Sequence, residues 1–152
     1  MEEILKTFLL AMTPIGELRA AIPLGISHYG LGVLQTYLIA VIGNILPVAI
    51  IVFLLEPVSN WLMKYSKFFR WFFHWLFEHS RKRHSKRFEV FEEIALVTFV
   101  AIPLPMTGAW SGALAAFVFG IPPKKSLPLI ALGVAIAGVI VTVITLGFRF
   151  FL

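Results

Sequence analysis

Glu17 and Arg19 place a carboxylate and a guanidinium two positions apart in the middle of an apolar stretch, Ile4 to Ile26. Charge at membrane depth is costly, and residues that carry it there line a pathway, bind a ligand or pair with each other. A guanidinium can clamp an anion bidentately. A carboxyl can carry a coupling proton, because desolvation and nearby positive charge act on its titration in opposite directions. Both residues follow Thr13-Pro14, which predicts Thr13 as a helix N-cap with proline at the first helical position. Thr107, before Gly108, predicts the same role further along, and Trp110 and Ser111 open the arm after it. Two such helix N-termini would aim free N–H groups and dipoles at an anion such as phosphate or carboxylate. Asn44, beside Gly43 and ahead of Pro47, is a lone polar residue in its own apolar stretch. It reads equally as interhelical contact or as a site residue. The competing reading of Glu17 and Arg19 is a structural ion pair. That pair needs a bent backbone, since i and i+2 do not face each other on a helix.

Other chemistries lack their residues. The chain has no cysteine, hence no disulfide framework, thiolate metal site or catalytic thiol. His74, His79 and His84 lie in a basic segment without the carboxylate–histidine spacing of a metal site. Arg81–Arg87 resembles a nucleic-acid patch only out of context; beside an interfacial helix it sets topology and touches anionic headgroups. No Ser/His/Asp arrangement or phosphate-binding glycine loop is present. The expectation is a protein that is not an enzyme, with no cofactor, no metal and no nucleic-acid partner.

The elements that must hold Glu17 and Arg19 follow from composition. The 152 residues are 59% hydrophobic and 14% charged, against roughly 25% charged in a soluble domain. Fifteen Phe and four Trp exclude disorder. The chain reads as an all-α integral membrane protein. Met-Glu-Glu at the start lacks the basic region of a signal peptide, so the first apolar segment is taken as part of the mature protein. Four apolar stretches run Ile4–Ile26, Leu34–Leu55, Ile94–Ile121 and Leu127–Leu152. The second and fourth have the length of a span, about 20 residues for a ~30 Å hydrocarbon core. The first and third are broken near their middles, at Met12–Arg19 and Ile102–Gly108, by proline and glycine. Each arm would rise only ~13 Å at ~1.5 Å per residue. Each broken stretch is therefore expected to turn at mid-depth as a re-entrant hairpin, with its freed backbone groups met by protein or water. Gly108, Gly112, Ala116 and Gly120 form a small-residue stripe expected to serve close helix packing.

From Val58 to Phe77, a cationic stripe of Lys64, Lys67, Arg70 and His74 runs opposite bulky aromatics, the pattern of an interfacial amphipathic helix. Lys64–Arg87 together with Lys124 and Lys125 hold ten of the thirteen basic residues, in what read as two short loops. A shift of about ninety positions lays Leu38-Ile39-Ala40 over Leu129-Ile130-Ala131 and Gly16, Ala21 and Ile22 over Gly108, Ala113 and Leu114. A unit of one hairpin plus one span crosses an odd number of times, so its repeat is inverted, as in many secondary transporters. The expected organisation is one membrane domain over residues 1–152: repeat 1 at 1–57, interfacial helix and basic linker at 58–93, and repeat 2 at 94–152. The charge rule places the 64–87 segment and Lys124/Lys125 in the cytoplasm and the termini outside, in a multi-pass protein of the cell's inner (plasma) membrane. Four full spans are the rival arrangement. It would set Lys124 and Lys125 opposite the long basic segment, against that rule.

The segments Pro14-Ile15-Gly16-Glu17-Leu18-Arg19-Ala20-Ala21-Ile22-Pro23-Leu24-Gly25 and Pro103-Leu104-Pro105-Met106-Thr107-Gly108-Ala109-Trp110-Ser111-Gly112 resemble the signature segments of the small multidrug export protein family. That family resembles, more distantly, the DedA-type (SNARE-associated, VTT) membrane proteins. The resemblance implies paired re-entrant hairpins in an inverted repeat, and a transporter or lipid flippase/scramblase of the polyprenyl-phosphate type. By motif position it makes Glu17 and Arg19 the important acidic and basic residues. Unlike many DedA-type chains, this one has no acidic residue in its second hairpin, so a two-carboxylate proton relay lacks a member. The leading expectation is a proton-linked transporter of a small amphipathic or anionic substrate, possible substrates including a lipid phosphate. Its partners are then membrane lipid, that small-molecule or lipid-phosphate substrate, and a second copy in a homodimer. A non-transporting membrane scaffold is the alternative from another class.

Overall fold

A computed structural model describes residues 1–80, 86–104 and 107–151, apart from the side chains of residues 79, 80, 86–88 and 151. Among the described residues every regular element is an α-helix: α1 Glu2–Met12, α2 Glu17–Ser27, α3 Val33–Tyr65, α4 Lys67–Ser80, α5 Lys86–Ala101, α6 Ala109–Phe119 and α7 Pro123–Phe151. With 33 and 29 residues, α3 and α7 are long and apolar enough to cross a membrane. The helices on either side of the two breaks have 11 residues (α1, α2, α6) or 16 (α5), short of the ~20 that a span needs.

The order short helix, break, short helix, long helix occurs twice, and the packing is reciprocal. α1 lies on α3 and α5 on α7, while α2 crosses to α7 and α6 crosses to α3. Between apolar helices in lipid, close approach of backbones replaces the hydrophobic drive. Two glycines provide that approach. A Cβ on Gly43 would lie 2.9 Å from the Phe8 carbonyl oxygen and 3.1 Å from the Ala11 Cβ. A Cβ on Gly133 would lie 2.9 Å from the Val97 carbonyl oxygen and 2.7 Å from the Val100 Cβ. Each long helix thus admits the first short helix of its own half at one glycine.

The expected interfacial helix over Val58–Phe77 is two elements. α3 continues through Pro57 to Tyr65, and α4 starts at Lys67 after an extended Ser66. A proline removes one intrahelical bond and kinks the helix, and here the bonds on either side carry the helix on. The Arg70 Nε–H donates to the Met63 carbonyl at 3.1 Å, which ties α4 back to the end of α3. Trp71 and Trp75 on α4 are exposed, while Phe73 and Phe77 meet Phe117 of α6 edge-to-face at 6.2 and 5.4 Å. Among the described residues of the basic segments, Lys64 sits in the last turn of α3, Lys67 and Arg70 on α4, and Lys124 and Lys125 in the first turn of α7, on helices rather than in loops. Pro123 opens α7, the position where its missing donor costs nothing. α5 starts at Lys86, ahead of the apolar boundary at Ile94. Arg81, Lys82, Arg83 and His84 of the basic segment, and Pro105 and Met106 of the second break, lie outside the described residues.

Candidate functional site where the two breaks meet

The first break is built by Thr13. Proline disfavours helix at the residue before it, and Thr13 is extended (ψ 143°) as the C-cap of α1. Its hydroxyl donates to the Leu10 carbonyl at 2.7 Å and accepts the Gly16 N–H at 3.2 Å. Thr13 therefore ends α1 and, with its carbonyl accepting the Glu17 N–H at 3.0 Å, also caps the Pro14–Gly16 turn that leads into α2, one turn ahead of the helix it was expected to cap directly. α2 begins at Glu17 with Gly16 before it and no side-chain cap.

The expectation that Thr107 caps α6 is corrected. Its hydroxyl accepts the Leu104 N–H at 3.1 Å and lies 2.7 and 2.8 Å from the Ile102 and Leu104 carbonyl oxygens, to which it donates. The N-cap of α6 is Gly108, again without a side-chain cap. Both threonines satisfy carbonyls left free by the helix that has just ended. Both following helices are left with uncapped N–H groups, which need partners from elsewhere.

Those partners come from the first break. Glu17 is 5% exposed and has φ 45°, in the left-handed region that a non-glycine residue enters at a cost of roughly 1–3 kcal/mol. Its Oε1 accepts the Trp110 N–H at 3.4 Å, and the Ala109 N–H also faces the carboxylate. Gly108 has φ 130°, and a Cβ there would lie 2.7 Å from Glu17 Cδ and Oε1, with Oε2 nearer still. Only a glycine lets the carboxylate reach the start of α6. Arg19 crosses the same gap. Its guanidinium donates to the Leu104 and Thr107 carbonyls, and Nη2 stands 3.0 Å from the Thr107 hydroxyl oxygen. Among the described residues no ion pair joins Glu17 to Arg19. The pair reaches across the molecule side by side, one charge for donors and one for acceptors.

This corrects the electrostatics expected from sequence. The α6 N-terminus favours an anion, and the anion that occupies it is Glu17. The fork of Arg19, expected to hold a ligand, holds two main-chain carbonyls. Asn44 of α3 is 1% exposed and lies beside the Glu17 carboxylate. Neither its amide oxygen nor its nitrogen has a hydrogen-bond partner, and the buried indole Nε1 of Trp110 has none either. Ser111 turns inward on its own helix and donates to the Gly108 carbonyl at 3.3 Å. Glu17, Arg19, Thr107, Gly108, Trp110 and Asn44 thus come together, while Thr13 and Ser111 act locally.

The small-residue stripe also divides. Gly112 packs on Val100 and Ala116 is buried. Gly108 instead admits Glu17, and Gly120 (φ 78°) is the left-handed C-cap of α6. The main-chain participants, the Leu104 carbonyl and the Ala109 N–H, have no side-chain signature. Pro103 is their one sequence signal, since it marks where helical partners are withdrawn. Among the described residues no group of three or more His, Asp or Glu could hold a metal ion.

The sequence model of a family described as "Putative small multi-drug export protein" matches residues 17–140. No curated protein and no solved structure matches the chain.

Proposed function

The chain belongs to the small multi-drug export family over residues 17–140, and from that premise we propose a proton-linked membrane transporter with Glu17 as its coupling group. The substrate is a small amphipathic compound, held near Glu17, Asn44 and Trp110 where the two breaks meet. What carries the reading is one contact: a buried carboxylate, on a strained residue of one break, accepts from the start of the helix that follows the other break. Protonating Glu17 removes the charge that holds it to the α6 N-terminus. The two breaks then lose half of their link, and Arg19 alone retains the second break through its carbonyls. A proton is thereby exchanged for a change in how the two halves meet, which is the element alternating access requires.

Re-entrant hairpins in an inverted repeat are part of this proposal. They are supported by the twofold order of elements, the reciprocal packing and the paired glycines Gly43 and Gly133. The orientation follows from the basic residues of α3, α4 and α7, which put that end in the cytoplasm of a multi-pass inner-membrane protein. Two spans per chain enclose little path, so the working unit is a homodimer. No reaction chemistry is assigned.

A lipid-phosphate flippase is the second reading. The observation favouring it is that the α6 N-terminus already accepts an anionic group, Glu17, at a place where a phosphate can exchange with it.

Ethidium movement in proteoliposomes under an imposed proton gradient tests the first reading. Wild-type protein should move the dye and Glu17→Gln should not. Equal transport by the two proteins would remove Glu17 from the coupling role.

A further inference from the structure

A cavity lies away from Glu17, at the end of α3 that carries the basic residues. It measures about 210 Å³ and lies between α3, α4, α6 and the start of α7. A cavity of ~150 Å³ already accommodates a benzene ring, so this one holds an aromatic or branched ammonium group. Its polar wall is made of the exposed Glu56 and Asn60, at its mouth, and of Ser59 and Ser126, and Phe77 and Phe117 form its aromatic wall. Ser59 and Ser126 are 4% and 1% exposed. Their hydroxyl protons are spent on the Glu56 and Pro123 carbonyls, at 2.8 and 3.4 Å. Each hydroxyl therefore presents an oxygen to the cavity as an acceptor.

The charge of this cavity runs against its surroundings. Lys64, Lys67, Arg70, Lys124 and Lys125 crowd this end of the molecule, yet no basic side chain lines the cavity among the described residues, and its one charged wall residue is Glu56. Glu56 has no ion-pair partner among the described residues. A carboxylate, hydroxyl acceptors and two phenyl rings form a donor-poor, cation-attracting wall. The inner end reaches Ala113, one helical turn along α6 from Ala109, whose N–H faces Glu17.

We infer that this cavity binds the head of a small organic ammonium compound, with Glu56 as its counter-charge. The inference adds a site beyond the Glu17 contact, and its readout is binding, so it stands or falls apart from the export reading. Calorimetry on the purified full chain in detergent, with benzyltrimethylammonium as probe and benzenesulfonate as its anionic counterpart, tests it. The ammonium compound should bind and the sulfonate should not. Glu56→Gln should weaken binding about tenfold, the scale of a lost charge–charge attraction near a protein surface. Equal binding by Glu56→Gln, or sulfonate binding as tight as ammonium binding, would overturn the assignment. A second measurement keeps Glu56 in place. Asn60→Cys supplies the single thiol in a chain without cysteine, and benzyltrimethylammonium should slow its modification by a thiol reagent at least threefold. An unchanged rate would place the cation elsewhere and overturn the proposal.

Discussion

The Glu17 carboxylate accepts the main-chain N–H of Trp110 at 3.4 Å, across 93 positions of sequence. This bond joins the two breaks, and Arg19 joins them again through the carbonyls of Leu104 and Thr107. The two charges have different work, and substitutions should separate them.

Glu17→Gln keeps the shape and an acceptor oxygen, and removes the charge. The stability change should stay near the value of a carboxylate at a helix N-terminus, roughly 0.3–1 kcal/mol and up to ~2 in a partly buried setting. Thermal unfolding in detergent should therefore move only a little, while gradient-driven transport disappears. Large destabilisation would mean that the carboxylate is mainly structural.

Arg19→Lys keeps the charge and loses the planar fork. One ammonium cannot reproduce the guanidinium's set of contacts to the Leu104 and Thr107 carbonyls and the Thr107 hydroxyl. Leu104 is exposed and Thr107 half-buried, so each lost bond there costs about 0.5–1.5 kcal/mol. The lysine variant should unfold at a clearly lower temperature than wild type. Arg19→Ala should be worse and should lower protein level as well. The position is thus less cleanly functional than its charge alone suggests. Wild-type stability in both variants would contradict the role given to Arg19.

Gly108→Ala should fail for two reasons. The residue has φ 130°, and its new Cβ would occupy the place of the Glu17 carboxylate. A loss of roughly 1–3 kcal/mol is expected from the backbone alone, with loss of transport as the carboxylate is displaced. In Gly108→Ala/Glu17→Ala the displacement cost vanishes and the backbone cost remains. Additive losses in the double variant, read by thermal unfolding, would argue against the Gly108–Glu17 contact.

Gly43→Val and Gly133→Val should be equally harmful. Each would drive a branched side chain into the main chain of the first helix of its own half. Matched losses of stability support two equivalent halves, and one tolerated valine would break the equivalence.

Much of this arrangement was legible in the residues. Pro14 and Pro103 marked the breaks, and the apolar lengths of α3 and α7 marked two candidate spans. Glu17 and Arg19 stood out because charge is rare in such a stretch. Thr13 serves both the helix behind it and the turn ahead, while Thr107 serves only the helix behind. A threonine before a break can satisfy the helix behind it as well as the one ahead, and local pattern does not distinguish the two. The partners of Glu17 and Arg19 were hidden because they are main-chain groups of a distant segment, which leave no side-chain pattern. Glu56 went unnoticed because it sits at the end of an apolar helix, where a single acid is ordinary. Its meaning depends on Phe77, Phe117 and Ser126 arriving from three other helices.

Single-cysteine labelling with an impermeant reagent tests the central claim, that two half-depth hairpins meet from opposite faces of the membrane. Glu3→Cys and Ser27→Cys flank the first break, and Ser66→Cys and Lys124→Cys mark the far end of α3 and the start of α7. The account predicts that the first two are labelled from one side and the last two from the other. Labelling of Glu3→Cys and Ser27→Cys from opposite sides would establish a full span in place of the first hairpin and contradict the account.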